Sequence, residues 1–474
     1  MLQNLWRRWQ PPNERKACWT IGGRRVSMPF SRYSYYFVAF SLLLISISAC
    51  TRPPDLTSVT MSFAAQTAGA GATKPSKSLS HSAFGQRVKK AVENSPNLAQ
   101  AKSRMGIVKA KQDAAEGAFL PEISLGLNAR SERIASDIAD VSPYLRVSQL
   151  VYDGGAASGD LTAARARVLE SRGDQIQTAS STALAAIETY VLVLDQRKIQ
   201  SIAAQNVLTH EELVRQITDR TKNGVGSSAD VLAARSRMSD ARTKLADAHA
   251  RTDRAEARFR EIFGDEPGAL PAPVPAPGLE RSDMQIIMNS PQVRRSDASL
   301  LAAKAELSAA QARRSPDVRV AAFANQDNNR DTNFGVDLSF NYELDNTGQR
   351  RAAIAAAESL VKETEFAREQ LIREITREVG FIRSDQKAGA YRLREARNAV
   401  EANAENITAS RKQFSIGRRS LIEILDAQRD YVNAQERLIL AEQSYFLTNY
   451  AALSLTGDIL DLLGVSLDDW GNTQ

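Results

Sequence analysis

The sequence predicts an α+β membrane protein made of two tandem repeats, each of which contributes long helices and one β-hairpin. Three observations support this prediction: a pattern repeated at an offset of 195 residues, long helical stretches without proline, and short segments of alternating apolar and polar residues. The chain has 474 residues, which is enough for two large structural modules.

Composition and charge exclude several classes of function. The net charge is +6, but residues 1–49 hold seven basic side chains and one acidic side chain, and therefore the whole excess. Because the remainder is formally neutral, we predict no surface for nucleic acid. The chain has two cysteines, three isolated histidines and no glycine-rich phosphate loop, so we expect neither an enzyme nor a metal site nor another cofactor.

The N-terminal region has the features of an export signal. Residues 35–48 form an apolar run that is too short to span a bilayer and has the length of a signal-peptide core. The run continues into residues 47–50, Ile-Ser-Ala-Cys, which resemble the bacterial lipobox. Thr51 follows the cysteine, which favours the outer membrane over the inner membrane.

We therefore predict a signal sequence over residues 1–49, lipidation of Cys50 and a lipidated linker over residues 50–82. A signal that begins at Met28 has the usual length, so residues 1–27 are interpreted as a mis-assigned start. The alternative is an ordinary signal peptide that contains a cysteine by chance.

Two segments of the chain are closely alike. Residues 94–121 and 289–316 both begin Asn-Ser-Pro, continue through alanine-rich helical sequence and stop at a proline 27 residues after their asparagine. We therefore predict a first repeat over residues 83–278 and a second over residues 279–474. The proline-rich stretch 265–278 is predicted to be an extended connector between them.

Each repeat is predicted to run in the order helix, β-hairpin, long helix, tight turn and helix. Proline ends the first helix because it cannot continue the backbone hydrogen-bond ladder. The hairpins are predicted over residues 122–153 and 317–345, and residues 333–343 show the clearest alternation. Residues 156–222 would form one helix of roughly 100 Å, and apolar spacings of three and four predict that such helices pack nearly parallel.

The four predicted strands require strands from other chains. Their alternation fits strands that face lipid on one side and water on the other. An open sheet edge in a bilayer leaves backbone donors and acceptors without partners, so only a closed barrel is stable there. Four strands cannot close, and copies of the chain would supply eight, twelve or sixteen. The alternative is a soluble helical protein that carries hairpins.

Several of these motifs together resemble the TolC family of outer-membrane export ducts. They are Leu-Pro at residues 120–121, Tyr-Asp-Gly-Gly at residues 152–155, and a pattern Gly-x5-acid-aliphatic-Leu-x-Ala whose acids are Asp230 and Glu423. The resemblance covers residues 83–465. It implies a homotrimer with a 12-stranded outer-membrane β-barrel in contact with lipid and a periplasmic α-barrel of coiled-coil helices. It also implies a periplasmic adaptor (membrane fusion) protein and an inner-membrane pump of the ABC or RND type as partners.

The stretches GVGSSADVLAAR and GRRSLIEILDAQ, which begin at Gly224 and Gly417, are predicted to end each long helix pair in a tight turn. Glycine stops the first helix, and a serine three residues before an acid starts the second helix. These turns, at residues 223–228 and 416–421, form the tips of the protomer. The resemblance implies that the adaptor docks at Gly224, Val225, Gly226, Gly417 and Arg418.

The resemblance also assigns a periplasmic gate to Phe414, Arg419, Glu423 and Asp426. The two carboxylates would line the entrance, and Phe414 and Arg419 would help to hold it shut. Spacings of four and three predict that Arg419, Glu423 and Asp426 share one helical face. A trimer would gather its carboxylates into a narrow ring that favours cations. The alternative is that Glu423 only caps a helix and Arg419 is only solvated.

We therefore expect the exit duct of a tripartite export system, which passively conducts cargo from the adaptor and the pump to the exterior. Acylation at Cys50 is commoner among the family's drug-efflux ducts, whereas the run from Gly417 to Asp426 looks more like its ducts for type I protein secretion, which we favour. Two alternatives are a non-conducting helical lipoprotein that scaffolds the envelope and a secreted or cytoplasmic coiled-coil protein.

Overall fold

The computed structural model describes residues 77–130, 140–278, 281–326 and 331–467. The predicted signal sequence, the lipidation site Cys50 and residues 50–76 of the predicted linker lie outside these ranges. The first half contains α1 (Lys77–Ser80), α2 (Ala83–Glu93), α3 (Pro96–Gly117), β1 (Glu122–Arg130), β2 (Asp140–Tyr152), α4 (Ala156–Lys222) and α5 (Ser228–Phe263). The second half contains α6 (Asp283–Asn289), α7 (Pro291–Ala312), β3 (Asp317–Gln326), β4 (Thr332–Asn341), α8 (Gln349–Ser415), α9 (Leu421–Thr456) and α10 (Asp458–Leu463).

The two halves correspond element by element. Helices α3 and α7 both have 22 residues, α4 and α8 both have 67, and α5 and α9 both have 36. Pro121 and Pro316 each follow the end of a first helix, and the next strand begins at the following residue. The predicted tandem repeat of long helices and hairpins is confirmed.

The four strands form one antiparallel sheet in the order β1-β2-β3-β4, so the two hairpins join along β2 and β3. Leu125 pairs with Leu145, Leu145 pairs with Ala324, and Ala324 pairs with Phe334, which places these four residues on one face. That face is apolar and uncovered, with Leu125 80% and Phe334 72% exposed. Strands β1 and β4 are the edges of the sheet.

The long helices lie side by side as a wall, in which α4 packs along α3 and α7 near the sheet and along α5 and α9 farther away. Small residues seven apart allow a close approach of α4 to α7. This α4–α7 seam consists of Gly159, Ala166 and Gly173 on α4 and of Ala302 and Ala309 on α7, and Gly173 lies against the backbone of Arg295. A Cβ atom added at Gly159 would lie 2.9 Å from the backbone nitrogen of Ala309, so no side chain fits there.

The largest hydrophobic core surrounds the middle of α4, where the proline-rich connector packs on the helices. The ring of Phe84 meets the ring of Tyr190 edge to face at 4.8 Å. The buried hydroxyls of Tyr190 and Tyr450 donate to the connector carbonyls of Pro271 (2.8 Å) and Val274 (2.6 Å). These hydrogen bonds fix the connector to both halves of the chain.

The packed chain begins earlier than the boundary predicted at residue 83. Leu79, in α1, is only 1% exposed and belongs to the main core. The last residues of the predicted linker are therefore part of the folded structure.

Candidate functional site

The turn between α4 and α5 is a Schellman motif. Gly224 has φ 77°, a left-handed conformation that favours glycine. Its N–H donates to the carbonyl of Thr221 at 3.1 Å, and the N–H of Val225 donates to the carbonyl of Arg220 at 2.9 Å. Both bonds satisfy carbonyls that the end of α4 leaves without helical partners.

The turn between α8 and α9 has the same construction. Gly417 has φ 75°, its N–H donates to Phe414, and the N–H of Arg418 donates to Gln413, each at 2.9 Å. The predicted glycine stops are confirmed at both tips. Val225 and Ile416 expose apolar side chains at the ends of the turns.

A capping box begins the second helix at each tip. The carboxylate of Asp230 accepts from the N–H of Ser227 at 3.2 Å, and that of Glu423 accepts from the N–H of Ser420 at 2.9 Å. The serine side chain caps the helix in return in both cases. Glu423 therefore caps α9, while its role in a gate stays a prediction.

Arg419 does not share a helical face with the two carboxylates. Helix α9 begins at Leu421, so Arg419 lies in the turn before it. Its guanidinium donates instead to the hydroxyl of Ser410, which is fully buried on α8. In the described ranges, Arg419 forms no ion pair with Glu423 or Asp426. The prediction of one shared face was wrong because the turn interrupts the helical periodicity.

Asp426 lies one turn after Glu423 on α9. Its carboxylate is 3.2 Å from the guanidinium of Arg429, and its side chain is 41% exposed. Exposed pairs of this kind are worth roughly 0.2–1 kcal/mol, so the interaction does not immobilise Asp426 strongly. The carboxylate is open to solvent in this protomer.

Phe414 connects the two tips. It packs on a small apolar cluster made by the ends of α4, α5, α8 and α9. The guanidinium of Arg220 lies 4.5 Å from the centre of its ring and donates to its carbonyl at 3.2 Å. The sequence analysis did not identify Arg220. The only signal for it was its position as a basic residue in the last turn of α4, where a positive charge stabilises the end of a helix.

A polar layer lies beside this apolar cluster. It consists of Asn206 and His210 on α4, Ser410 and Arg411 on α8, and Gln428 on α9. The amide of Gln428 donates to Asn206 at 3.2 Å and accepts from Arg411 at 3.0 Å, so the layer links all three helices. Sequence reasoning missed this layer because polar residues in a helix usually indicate a solvated face.

His210 is the titratable group of the polar layer that changes its charge near neutral pH. It is 6% exposed, and its Nδ1 has no hydrogen-bond partner in the described part of the chain. Burial lowers the pKa of His210, and the positive charges of Arg237, Arg411 and Lys244 lower it further, while Asp240 opposes them. The packed tips therefore favour the neutral imidazole.

We expect the His210→Gln variant to lose part of the acid sensitivity of the protein. The unfolded chain takes up the His210 proton as the pH falls through about 6.5, before the folded chain does, so the wild-type free energy of unfolding decreases below that pH. Melting temperatures at about pH 7.5 and pH 5.5 measure this loss. The loss is at most about 1.4 kcal/mol between these two conditions, the limit reached when the folded chain binds no proton at His210.

The control for this prediction is His249→Gln, because His249 is exposed on α5. This variant should keep the wild-type difference between the two pH values. A His210→Gln protein with the full wild-type difference would contradict the prediction.

Two features are absent from the described ranges. No group of three or more histidine, cysteine, aspartate or glutamate side chains there could hold a metal ion. No helix in those ranges combines 18 or more residues with the high hydropathy and low charge of a membrane span.

Comparison with known proteins identifies the family. The profile of the family described as outer membrane efflux protein matches residues 88–265 and 284–457. The outer membrane efflux protein BepC of Brucella suis is 24% identical over 399 residues, which cover 80% of this chain and 86% of BepC. The protein CyaE of Bordetella pertussis is 21% identical over 407 residues, which cover 81% of this chain and 86% of CyaE.

A solved structure shows the same fold. The outer membrane protein VceC of Vibrio cholerae superposes with a TM-score of 0.71 at 15% identity, over 79% of this chain and 96% of VceC. The resemblance to outer-membrane export ducts that the sequence motifs indicated is thus confirmed. Because the family profile matches most of the residues described here, the chain belongs to the outer membrane efflux protein family.

Proposed function

We propose that three copies of this chain form an exit duct through the outer membrane, the last part of a tripartite export system. A periplasmic adaptor and an inner-membrane ABC or RND pump would deliver cargo, and the duct would conduct it passively to the exterior. The observation that carries this proposal is the sheet, which has one apolar face, one polar face and two open edges.

The two faces of the sheet differ sharply in chemistry. The apolar face carries the exposed side chains of Ile123, Leu125 and Leu127 on β1 and of Phe334, Val336, Leu338 and Phe340 on β4. On the opposite face Arg146 and Asp337 form an ion pair at 3.6 Å. Apolar residues that face outward and polar residues that face inward are the pattern of strands in a membrane barrel.

The sheet edges explain why copies are needed. The outer backbone groups of β1 and β4 have no partner strand within the described ranges. In a bilayer each such group would cost several kcal/mol, so another chain must pair with it. Four strands from each of three copies give the twelve-stranded barrel that the family resemblance implies.

Helix α8 also supports assembly. Its 67 residues include only five that are buried, and it exposes the large side chains of Phe366, Phe381 and Tyr391. α8 lies at one edge of the helical wall, and a neighbouring copy would cover this face. The wall would thereby continue around a periplasmic tunnel.

The functional residues predicted from the sequence fit into this assembly. Glu423 and Asp426 of three copies would form an acidic ring at the periplasmic entrance, while Phe414 and Arg419 hold the surrounding helices together. The exposed turns that contain Gly224 and Gly417 would dock the adaptor, as would Val225, Gly226 and Arg418. Cys50, outside the described residues, would anchor each copy in the outer membrane through lipid.

Two cargo classes are compatible with this duct. BepC is named an efflux protein, which supports small molecules as cargo. The run from Gly417 to Asp426 supports type I secreted proteins through its resemblance to secretion ducts. Deletion of the chain, followed by drug-susceptibility assays and analysis of secreted proteins, separates the two classes.

The proposed function is tested with the full-length protein purified from membranes. Light scattering should show a trimer, and planar lipid bilayers should show ion conductance. Samples that are not heated should migrate more slowly in gels than heated ones, because heating separates the trimer into single chains. A monomer that passes no ions would support the alternative, a non-conducting scaffold.

A further inference from the structure

Two glycines of the sheet lie directly beneath aromatic rings. Gly126 on β1 pairs with Tyr144 on β2, and a Cβ atom at Gly126 would lie 2.6 Å from the Tyr144 hydroxyl oxygen. Gly335 on β4 pairs with Phe323 on β3, and a Cβ atom there would overlap the Phe323 ring. Each ring therefore lies across its neighbouring edge strand and occupies the space that a side chain would fill.

Both rings lie on the polar face of the sheet. Successive residues of a strand point to opposite faces, and Leu125 and Leu145 belong to the apolar face. Gly126 and Tyr144 are their neighbours and therefore belong to the other face. Phe323 pairs with Arg146 on that same face.

Arg146 adds a second layer over one of these rings. Its guanidinium lies 6.0 Å from the centre of the Phe323 ring and pairs with Asp337 on β4. The Arg146 side chain must cross β3 to reach Asp337, so it lies along the sheet. The bulkiest side chains of this region thus run parallel to the wall.

We propose that Gly126 and Gly335 set the bore of the duct by providing recesses in which Tyr144 and Phe323 lie flat. This inference rests on the proposed function, in which the polar face lines the lumen. A side chain at either glycine would collide with the far end of a ring, which swings away more easily than backbone. The displaced ring would then project into the lumen and narrow it.

The test compares four full-length proteins in planar bilayers. They are the wild type, Gly126→Val with Gly335→Val, Tyr144→Ala with Phe323→Ala, and the combination of all four changes. Polyethylene glycols of graded size are added to the compartment at the β-barrel end of the duct. The largest polymer that lowers the conductance measures the bore of the barrel, even when the far end of the duct is narrower.

We expect the two valines to lower the size cut-off, because the displaced rings would occupy part of the open cross-section of the barrel. The two alanines alone should leave the cut-off near the wild-type value, since flat rings do not obstruct the lumen. The combination of all four changes should restore the cut-off that the valines lower.

Three results would overturn the inference: an unchanged cut-off in the valine variant, a larger cut-off in the alanine variant, or no recovery in the combination. The alanine variant tests the inference even when the valine variant does not assemble. A wild-type protein that passes no ions would instead refute the proposed function itself.

Discussion

The variant Glu423→Gln with Asp426→Asn should weaken the block of the duct by hexaamminecobalt(III), applied on the periplasmic side, by about tenfold or more. Three copies would place six carboxylates around one narrow entrance, and a trivalent cation interacts with all of them together. The two substitutions remove that charge and keep the size of each side chain. Single-channel recordings over a range of blocker concentrations measure the effect.

Glutamine is the informative substitution at residue 423 because the Glu423 carboxylate also caps α9. A glutamine can make the same hydrogen bond to the N–H of Ser420, whereas an alanine would cost about 1 kcal/mol of helix stability. The control is Asp230→Asn, which changes the equivalent capping residue of the first tip. Equal loss of block in the control and in the gate variant would show that the acids act through general surface charge.

Gly159→Leu should destabilise the protein by about 3 kcal/mol or more. Gly159 lies in the α4–α7 seam, where an added Cβ would lie 2.9 Å from the backbone nitrogen of Ala309 and 3.0 Å from its Cα. Backbone atoms cannot move aside as a side chain can, so the two helices would have to separate. The midpoint of thermal unfolding and the yield of assembled protein report the loss.

Gly106→Ala is the control, because a Cβ atom at that position on α3 would have no described atom within 4 Å other than those of the adjacent residues and of its own helix backbone. Alanine favours a helix over glycine, so the control should gain up to about 1 kcal/mol. A Gly159→Leu protein that melts like the wild type would show that the seam is more loosely packed than the structure indicates.

Much of this fold could be predicted because its signals are local. Pro121 and Pro316 mark the ends of two helices, and the alternation over residues 333–343 identifies a strand. Gly224 and Gly417 identify the tips through a conformation that glycine favours. Repetition of each signal in the second half made the prediction stronger than either half alone.

The candidate site was less predictable because its contacts join distant parts of the chain. Gln428 meets Asn206 across 222 residues, and no local pattern specifies that pair. The spacing of Arg419 and Glu423 suggested a shared face, but a helix begins between them. The direction of a side chain near a turn depends on the residue at which the helix begins. A shift of that boundary by one residue changes the direction in which the side chain points.

The equal lengths of corresponding helices restrict how this architecture can change in length. Each of the two long helices has 67 residues, and each of their returning partners has 36. An insertion in one helix would shift its stripe of small residues relative to the helices that pack against it. The packing would be kept only if those helices gained the same number of residues. Longer versions should therefore arise only by coordinated insertions of whole heptads in both halves, a rule that protein engineers can apply to build ducts for wider periplasms.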